Sequence, residues 1–235
     1  MKRSALPLAG AVLLAGCAGS QVAPMNAESS AALRQAPLVQ VVRYVSPGMN
    51  ITIPKNASGL GPLGRVAVES GTGTGELRTG DSLARAYKLP DPADDVARRL
   101  VDKLKAEGGL TNLRVEPKLA GRPLAEDPAH YRAKYPNGVV LELSVENQGA
   151  SYGAMNWKTY TYFMYGKARL IRVADGKVLW SDTCNLHAFG DDATKRQLDV
   201  TEFEANNGAR LKAVTSYSNE RCSRMLADKI LGKAS

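Results

Sequence analysis

The chain has only two histidines and three cysteines among its 235 residues, and no dense block of like charge. Each scarcity excludes something. A Ser-His-Asp triad has only His130 and His187 to draw on. His187 has Asp191 and Asp192 nearby in sequence, and Ser181 on its side of an extended segment. Six residues of extended chain between Ser181 and His187 amount to about 20 Å, too far to touch. No G-x-S-x-G elbow is present. The glycine-rich "SGTGTGE", residues 70–76, lacks the Lys-Ser/Thr pair of a nucleotide-binding loop and is not followed directly by a helix, so it reads as a loop. No carboxylate pair stands out for glycoside cleavage. The formal charge is +8, but lysines and arginines are scattered and no stacking motif accompanies them, which excludes a nucleic-acid footprint. Scattered positive charge remains compatible with anionic lipid, lipopolysaccharide or peptidoglycan carboxylates. There is no internal repeat. The apolar run near the start, residues 5–14, contains Pro7 and Gly10 and is half the length of about 20 residues that a bilayer-spanning helix needs.

That short run is informative for what surrounds it. Lys2 and Arg3 precede it, and Ala15 and Gly16 follow, which is the order of an export signal. Leu14-Ala15-Gly16-Cys17 resembles the lipobox of bacterial lipoproteins. The resemblance implies cleavage before Cys17, a diacylglycerol on its thiol and an acylated new amine. Two or more acyl chains hold a protein stably on a bilayer, each buried CH₂ contributing about 0.8 kcal/mol. In Gram-negative lipoproteins an Asp after the cysteine favours the inner membrane. Here Ala18 and Gly19 follow, so the expected address is the outer membrane, facing the periplasm. The expected organisation is a signal peptide over 1–16, a lipidated flexible tether over 17–37 and a periplasmic domain over 38–235. Removing residues 1–16 leaves 219 residues and takes away Lys2 and Arg3.

With Cys17 carrying lipid, Cys184 and Cys222 remain, and an even pair in an oxidising compartment reads as a disulfide. Two isolated cysteines without a histidine pair do not make a metal site. No metal and no cofactor are expected.

Residues 38–45, "LVQVVRYV", read as a strand, as does "RVAVES", 65–70, with a short strand possible at "NITI". A helix begins at Asp91-Pro92, carries Val96, Leu100 and Leu104 on one stripe and ends at Gly108-Gly109. "NLRVEP" is a further strand, and a short helix can start at Asp127-Pro128. In "GVVLELSVE", Val139, Leu141, Leu143 and Val145 alternate with Glu142, Ser144 and Glu146. Two long strands follow, near 158–174 and 177–189, joined by Asp175-Gly176, a two-residue hairpin signal that pairs Val173 with Val178 and Ile171 with Trp180. A last helix runs from near Glu202 towards Ile230 with Leu211, Val214, Ser218, Cys222, Met225 and Leu226 on one stripe. Cys184 faces the same contact from its strand. The expected class is α+β, a mixed, largely antiparallel sheet covered by two main helices.

Six of the fourteen aromatic residues fall in 151–165. Phe163 and Tyr165 read as strand filling. Gly149 to Trp157 reads as a connection whose Tyr152, Met155 and Trp157 lie at a loop tip, a composition that favours partner contact. The hairpin "RLIRVADGKVLWSDT", 169–183, resembles one found in curli-secretion lipoproteins and in lipoprotein activators of penicillin-binding proteins; at fifteen residues it transfers no functional position. The expected role is a non-enzymatic, lipid-anchored envelope module that binds a protein partner or supports an assembly. The alternative is an auxiliary subunit that binds lipid or another small apolar ligand. A closed apolar pocket favours the second and a flat aromatic patch the first.

Overall fold

The computed structural model describes residues 25–51, 79–121, 128–153, 156–188 and 192–233. The signal and lipobox, the 65–70 strand, the 70–76 loop and Met155 lie outside the described residues.

The hairpin of β4 (Val139–Gly153) and β5 (Asn156–Arg172) forms the spine of a seven-stranded sheet. On one side, β1 (Val39–Arg43) runs parallel to β4, with β3 (Leu113–Val115) parallel beyond it. On the other, β6 (Lys177–Leu186) is antiparallel to β5. Two short strands lengthen the sheet: β2 (Asn50–Ile51) beside the far half of β4, and β7 (Gln197–Asp199) beside β5. The class is α+β with a mixed, mostly antiparallel sheet, and α3 (Pro92–Gly108) and α4 (Ala205–Ile230) cover one face.

Side chains sort by face as the alternation requires. Leu141, Leu143 and Val145 are buried under the helices. A bulge between Val145 and Asn147 shifts the phase, so Ala150 and Tyr152 rejoin the same core. In α3, Asp91 accepts from the N–H groups of Ala93 and Asp94, Pro92 opens the first turn, and Gly109 closes the helix at φ 64°. Val96, Ala97, Leu100, Val101 and Leu104 form its buried stripe. In α4, Leu211, Val214, Ser218, Cys222 and Leu226 face the sheet. The serines and threonine on that face spend their hydroxyls on nearby helix carbonyls, which lets polar residues sit inside. Asn206, Asn207 and Gly208 have left-handed backbone angles, so the straight part of α4 begins after them.

Cys184 of β6 and Cys222 of α4 form a disulfide with Cα atoms 5.3 Å apart, fully buried between sheet and helix. Gly166, opposite Cys184 in register, makes room for it: a Cβ there would stand 2.8 Å from Cys184 Sγ.

Two expectations are corrected. The tether was expected to extend to residue 37, but Ala27–Gln35 is helix α1, with Ser29 and Leu33 buried. Asn26 caps it, Ser29 Oγ donates to the Leu179 carbonyl at 2.6 Å, and the Met25 N–H reaches the Lys229 carbonyl. The domain therefore includes residues 25–37. The β5–β6 turn is also longer than two residues: Arg172 pairs with Lys177, Ile171 with Val178 and Leu170 with Trp180. Val173 does not pair across the hairpin: its side chain lies in a second buried cluster with Val42, Tyr131, Val140 and Ile171, its N–H donates to the Gly138 carbonyl and its carbonyl accepts from Arg132 Nε. The Asp175 carboxylate instead gathers the Arg172 guanidinium and the Lys177 N–H.

Candidate functional site

The stretch after β1, helix α2 (Thr79–Ala86), the start of α3 and the middle of α4 enclose a cleft of about 330 Å³. Its walls are assembled by two carboxylates. Asp91, the cap of α3, also accepts from the Ser46 N–H at 3.0 Å and the Ser46 hydroxyl at 2.9 Å. One side chain thus starts a helix and fixes the loop beside it. Asp81, in the first turn of α2, accepts from the Met49 N–H at 2.7 Å. Gly80 permits that approach, since a Cβ there would collide with the Met49 carbonyl.

The floor comes from the sheet and α4. Tyr162 is fully buried; its hydroxyl donates to Gln148 Oε1 at 2.7 Å, and Gln148 Nε2 donates to the Pro47 carbonyl at 3.2 Å. Burial pushes the Tyr162 phenol well above its ordinary range, holding it as a neutral hydrogen-bonding group. Thr215 donates to the Leu211 carbonyl, and Asn219 Nδ2 to Asp95 Oδ2 at 2.8 Å. That bond fixes the Asn219 amide, and its Oδ1 has no hydrogen-bond partner although the residue is 2 % exposed. Met49, Leu89, Pro90 and Pro92 supply apolar wall, and the exposed Arg85 and Lys88 stand on the α2 side.

A second polar cluster lies on the opposite sheet face, under the short 3-10 turn Pro128–Tyr131. Arg169 grips both oxygens of Glu142, at 2.7 and 2.9 Å, with both residues buried. Tyr131 donates to Glu142 at 3.0 Å, and the Tyr44 and Tyr131 hydroxyls lie 2.5 Å apart. Because Tyr131 spends its hydrogen on Glu142, Tyr44 is the donor to Tyr131. The His130 Nε2 contact to Tyr44 at 3.3 Å then carries its hydrogen on Nε2. Burial and the Glu142 charge push both phenols up, Tyr44 to about 12. This network docks the 3-10 turn on the sheet.

No family model and no curated protein matches the chain. Solved structures resemble it loosely over most of its length. The PelC dodecamer from Paraburkholderia phytofirmans is 15% identical, covering 87% of this chain and 93% of that one at a TM-score of 0.38. Protein XCC0632 from Xanthomonas campestris is 12% identical over 90% and 92%, at 0.43. Lipoprotein GNA1162 from Neisseria meningitidis is 17% identical over 77% and 95%, at 0.25. At these scores the likenesses carry no argument about what the chain does.

The residues expected to matter divide as follows. Cys17 lies outside the described residues. Cys184 and Cys222 are joined. The Gly149–Trp157 stretch is not a loop: β4 continues to Gly153 and β5 begins at Asn156. Tyr152 is on a strand, half-buried against the core, its ring 5.8 Å from that of Tyr160 in an edge-on contact. Continued pairing of Tyr152 with Tyr160 past the bulge is what removes the loop. Trp157 belongs to β5; its side chain lies outside what is described. Sequence reasoning missed the cleft entirely. Two signals pointed to it: Gln148, polar on the core face of β4, and Asn219, polar within the buried stripe of α4.

Proposed function

We propose that this chain is a lipid-anchored lipoprotein of the cell envelope, held at the outer membrane through Cys17 and facing the periplasm, where it acts without catalysis as a binding or assembly-support module. The observation that carries this reading is the buried Cys184–Cys222 disulfide in a chain whose only other cysteine closes a lipobox-like Leu14-Ala15-Gly16-Cys17. A buried structural disulfide belongs to an oxidising compartment, and the lipobox is an address for one. Contact with a protein partner is assigned to the end of the β4–β5 hairpin, where Trp157 lies; Tyr152 contributes packing there.

The test is fractionation of cells carrying Cys17→Ser. The protein should leave the outer membrane, either as an uncleaved precursor or as a soluble periplasmic chain. Retention at the outer membrane without a partner holding it there would overturn the reading.

The cleft favours a second reading, an auxiliary subunit that binds a small molecule. It is open and partly polar rather than closed and apolar, so a purely lipidic ligand fits it poorly.

A further inference from the structure

The cleft has a polarity. At its inner end the hydroxyl hydrogens are already committed to the protein: Ser46 to Asp91, Tyr162 to Gln148 and Thr215 to a helix carbonyl. The Tyr162 and Thr215 hydroxyl oxygens therefore remain as acceptors, while that of Ser46 already accepts from the Ala93 N–H at 3.3 Å. The Asn219 Oδ1 adds an acceptor for which the protein supplies no donor. Asp81 and Asp91, half-buried, add two negative charges; one Asp81 oxygen accepts from the Met49 N–H, and the Asp91 oxygens already accept from Ser46, Ala93 and Asp94. A buried acceptor without a donor costs free energy, so the inner end is short of hydrogen-bond donors. The outer end is the reverse. Arg85 and Lys88 are exposed, and among the described residues neither side chain is engaged in a hydrogen bond or ion pair. Between the two ends, Met49, Leu89, Pro90 and Pro92 give an apolar wall.

A simple anion would meet Asp81 and Asp91, and a simple cation would meet Arg85 and Lys88. A molecule carrying both charges has a complement for each. We propose that the cleft binds a small zwitterion, an α-amino acid or dipeptide with an apolar side chain, its ammonium at the acceptor-lined inner end and its carboxylate at Arg85 and Lys88. Ammonium donors satisfy carboxylates and hydroxyl oxygens, and guanidinium and ammonium groups are the ordinary partners of a carboxylate. A volume of about 330 Å³ is at the lower end of ligand pockets, suited to a molecule of this size. The proposal rests on the second reading above, in which the cleft is the functional site.

The test uses the full chain with Cys17→Ser, to keep it soluble, and its disulfide intact. Five probes are titrated while backbone NMR signals of Tyr162, Thr215 and Asn219 are followed: L-leucine, leucyl-leucine, leucinamide (cation only), 4-methylpentanoate (anion only) and 4-methylpentanamide (neutral). At least one zwitterion should bind about tenfold tighter than each of the other three, one charge-assisted contact corresponding to roughly that factor. Arg85→Ala with Lys88→Ala, both exposed, should erase the advantage over leucinamide. Asp81→Asn, which keeps the oxygen that accepts from Met49, should shrink the advantage over 4-methylpentanoate. If a singly charged or neutral probe binds as tightly as both zwitterions, the zwitterion assignment falls and a ligand-binding cleft stands. If no probe moves the cleft signals, both fall.

Discussion

Gly166→Ala probes the join between sheet and last helix. Gly166 pairs with Cys184 across β5 and β6, and a Cβ at this position would lie 2.8 Å from Cys184 Sγ, 3.2 Å from Cys222 Sγ and 3.5 Å from the Ser144 carbonyl oxygen. The first two distances are too short, and the sulfurs are tethered and fully buried, so neither can swing away. Overpacking of this kind costs about 1–3 kcal/mol. Replacing glycine by alanine returns about 0.4–1 kcal/mol through the unfolded chain, since Gly166 is not among the glycines with positive φ. The net expectation in the disulfide-bonded protein is a loss of about 1–2 kcal/mol. With Cys184→Ala and Cys222→Ala already present, both sulfurs are gone and only the ordinary contact with Ser144 remains. The same substitution should then be neutral or stabilise by about 0.5 kcal/mol. The coupling is therefore about 2 kcal/mol, well outside the additivity expected of independent sites. The assay is urea unfolding of all four proteins, in a fixed concentration of sucrose so that the disulfide-free parent still folds. That parent should itself have lost up to about 4 kcal/mol, the loop-entropy value for a bond spanning 38 residues. Equal losses from Gly166→Ala in the two backgrounds, within about 0.5 kcal/mol, would refute the reasoning, because the glycine would then be serving the backbone and not the sulfurs.

Glu142→Ala should cost about 3–5 kcal/mol by taking away the carboxylate that the buried Arg169 guanidinium grips, and Glu142→Leu with Arg169→Met should recover most of it in urea unfolding. Asn26→Ala should lower global stability by about 1 kcal/mol, because its side chain caps α1 by accepting from the Ser29 N–H; an unmoved midpoint would mean that α1 is not part of the cooperative unit. Burial raises the Tyr44 and Tyr160 phenols to about 12, against an ordinary value near 10. The unfolded chain therefore releases these protons first, and the stabilisation they reflect is complete below about pH 10 and lost as pH rises through about 12. A urea midpoint that stays constant over that window would contradict this.

The parts of the fold that were legible in the sequence are those with many buried positions in register. Helix α3 has a capping Asp91, Pro92, a five-residue apolar stripe and a closing glycine, each pointing the same way. The alternation from Val139 to Val145 defined the start of β4 for the same reason. Helix α1 was missed because it buries only Ser29 and Leu33, too thin a pattern to separate from a tether rich in Ala and Ser. The β5–β6 register was missed because a tertiary demand, the burial of Val173 in the second cluster, outweighs the local Asp-Gly preference for a tight turn. The cleft was illegible for a geometric reason. Its polar lining comes from six separated stretches around Ser46, Asp81, Asp91, Gln148, Tyr162 and Asn219, and no local spacing links them.

The docking of α1 sets a leash. Met25 is fixed beside Lys229 near the end of α4, and only eight residue steps separate it from Cys17. Even fully extended, eight steps span no more than about 29 Å. A chain lipidated at Cys17 must therefore keep the Lys229 end of α4 within that distance of the lipid headgroups, and the domain cannot turn this end far away. Asn219 lies ten residues earlier on the same helix, about 15 Å along its axis. The cleft would ride on the body of the domain rather than at its tethered corner, open to what diffuses past the membrane surface.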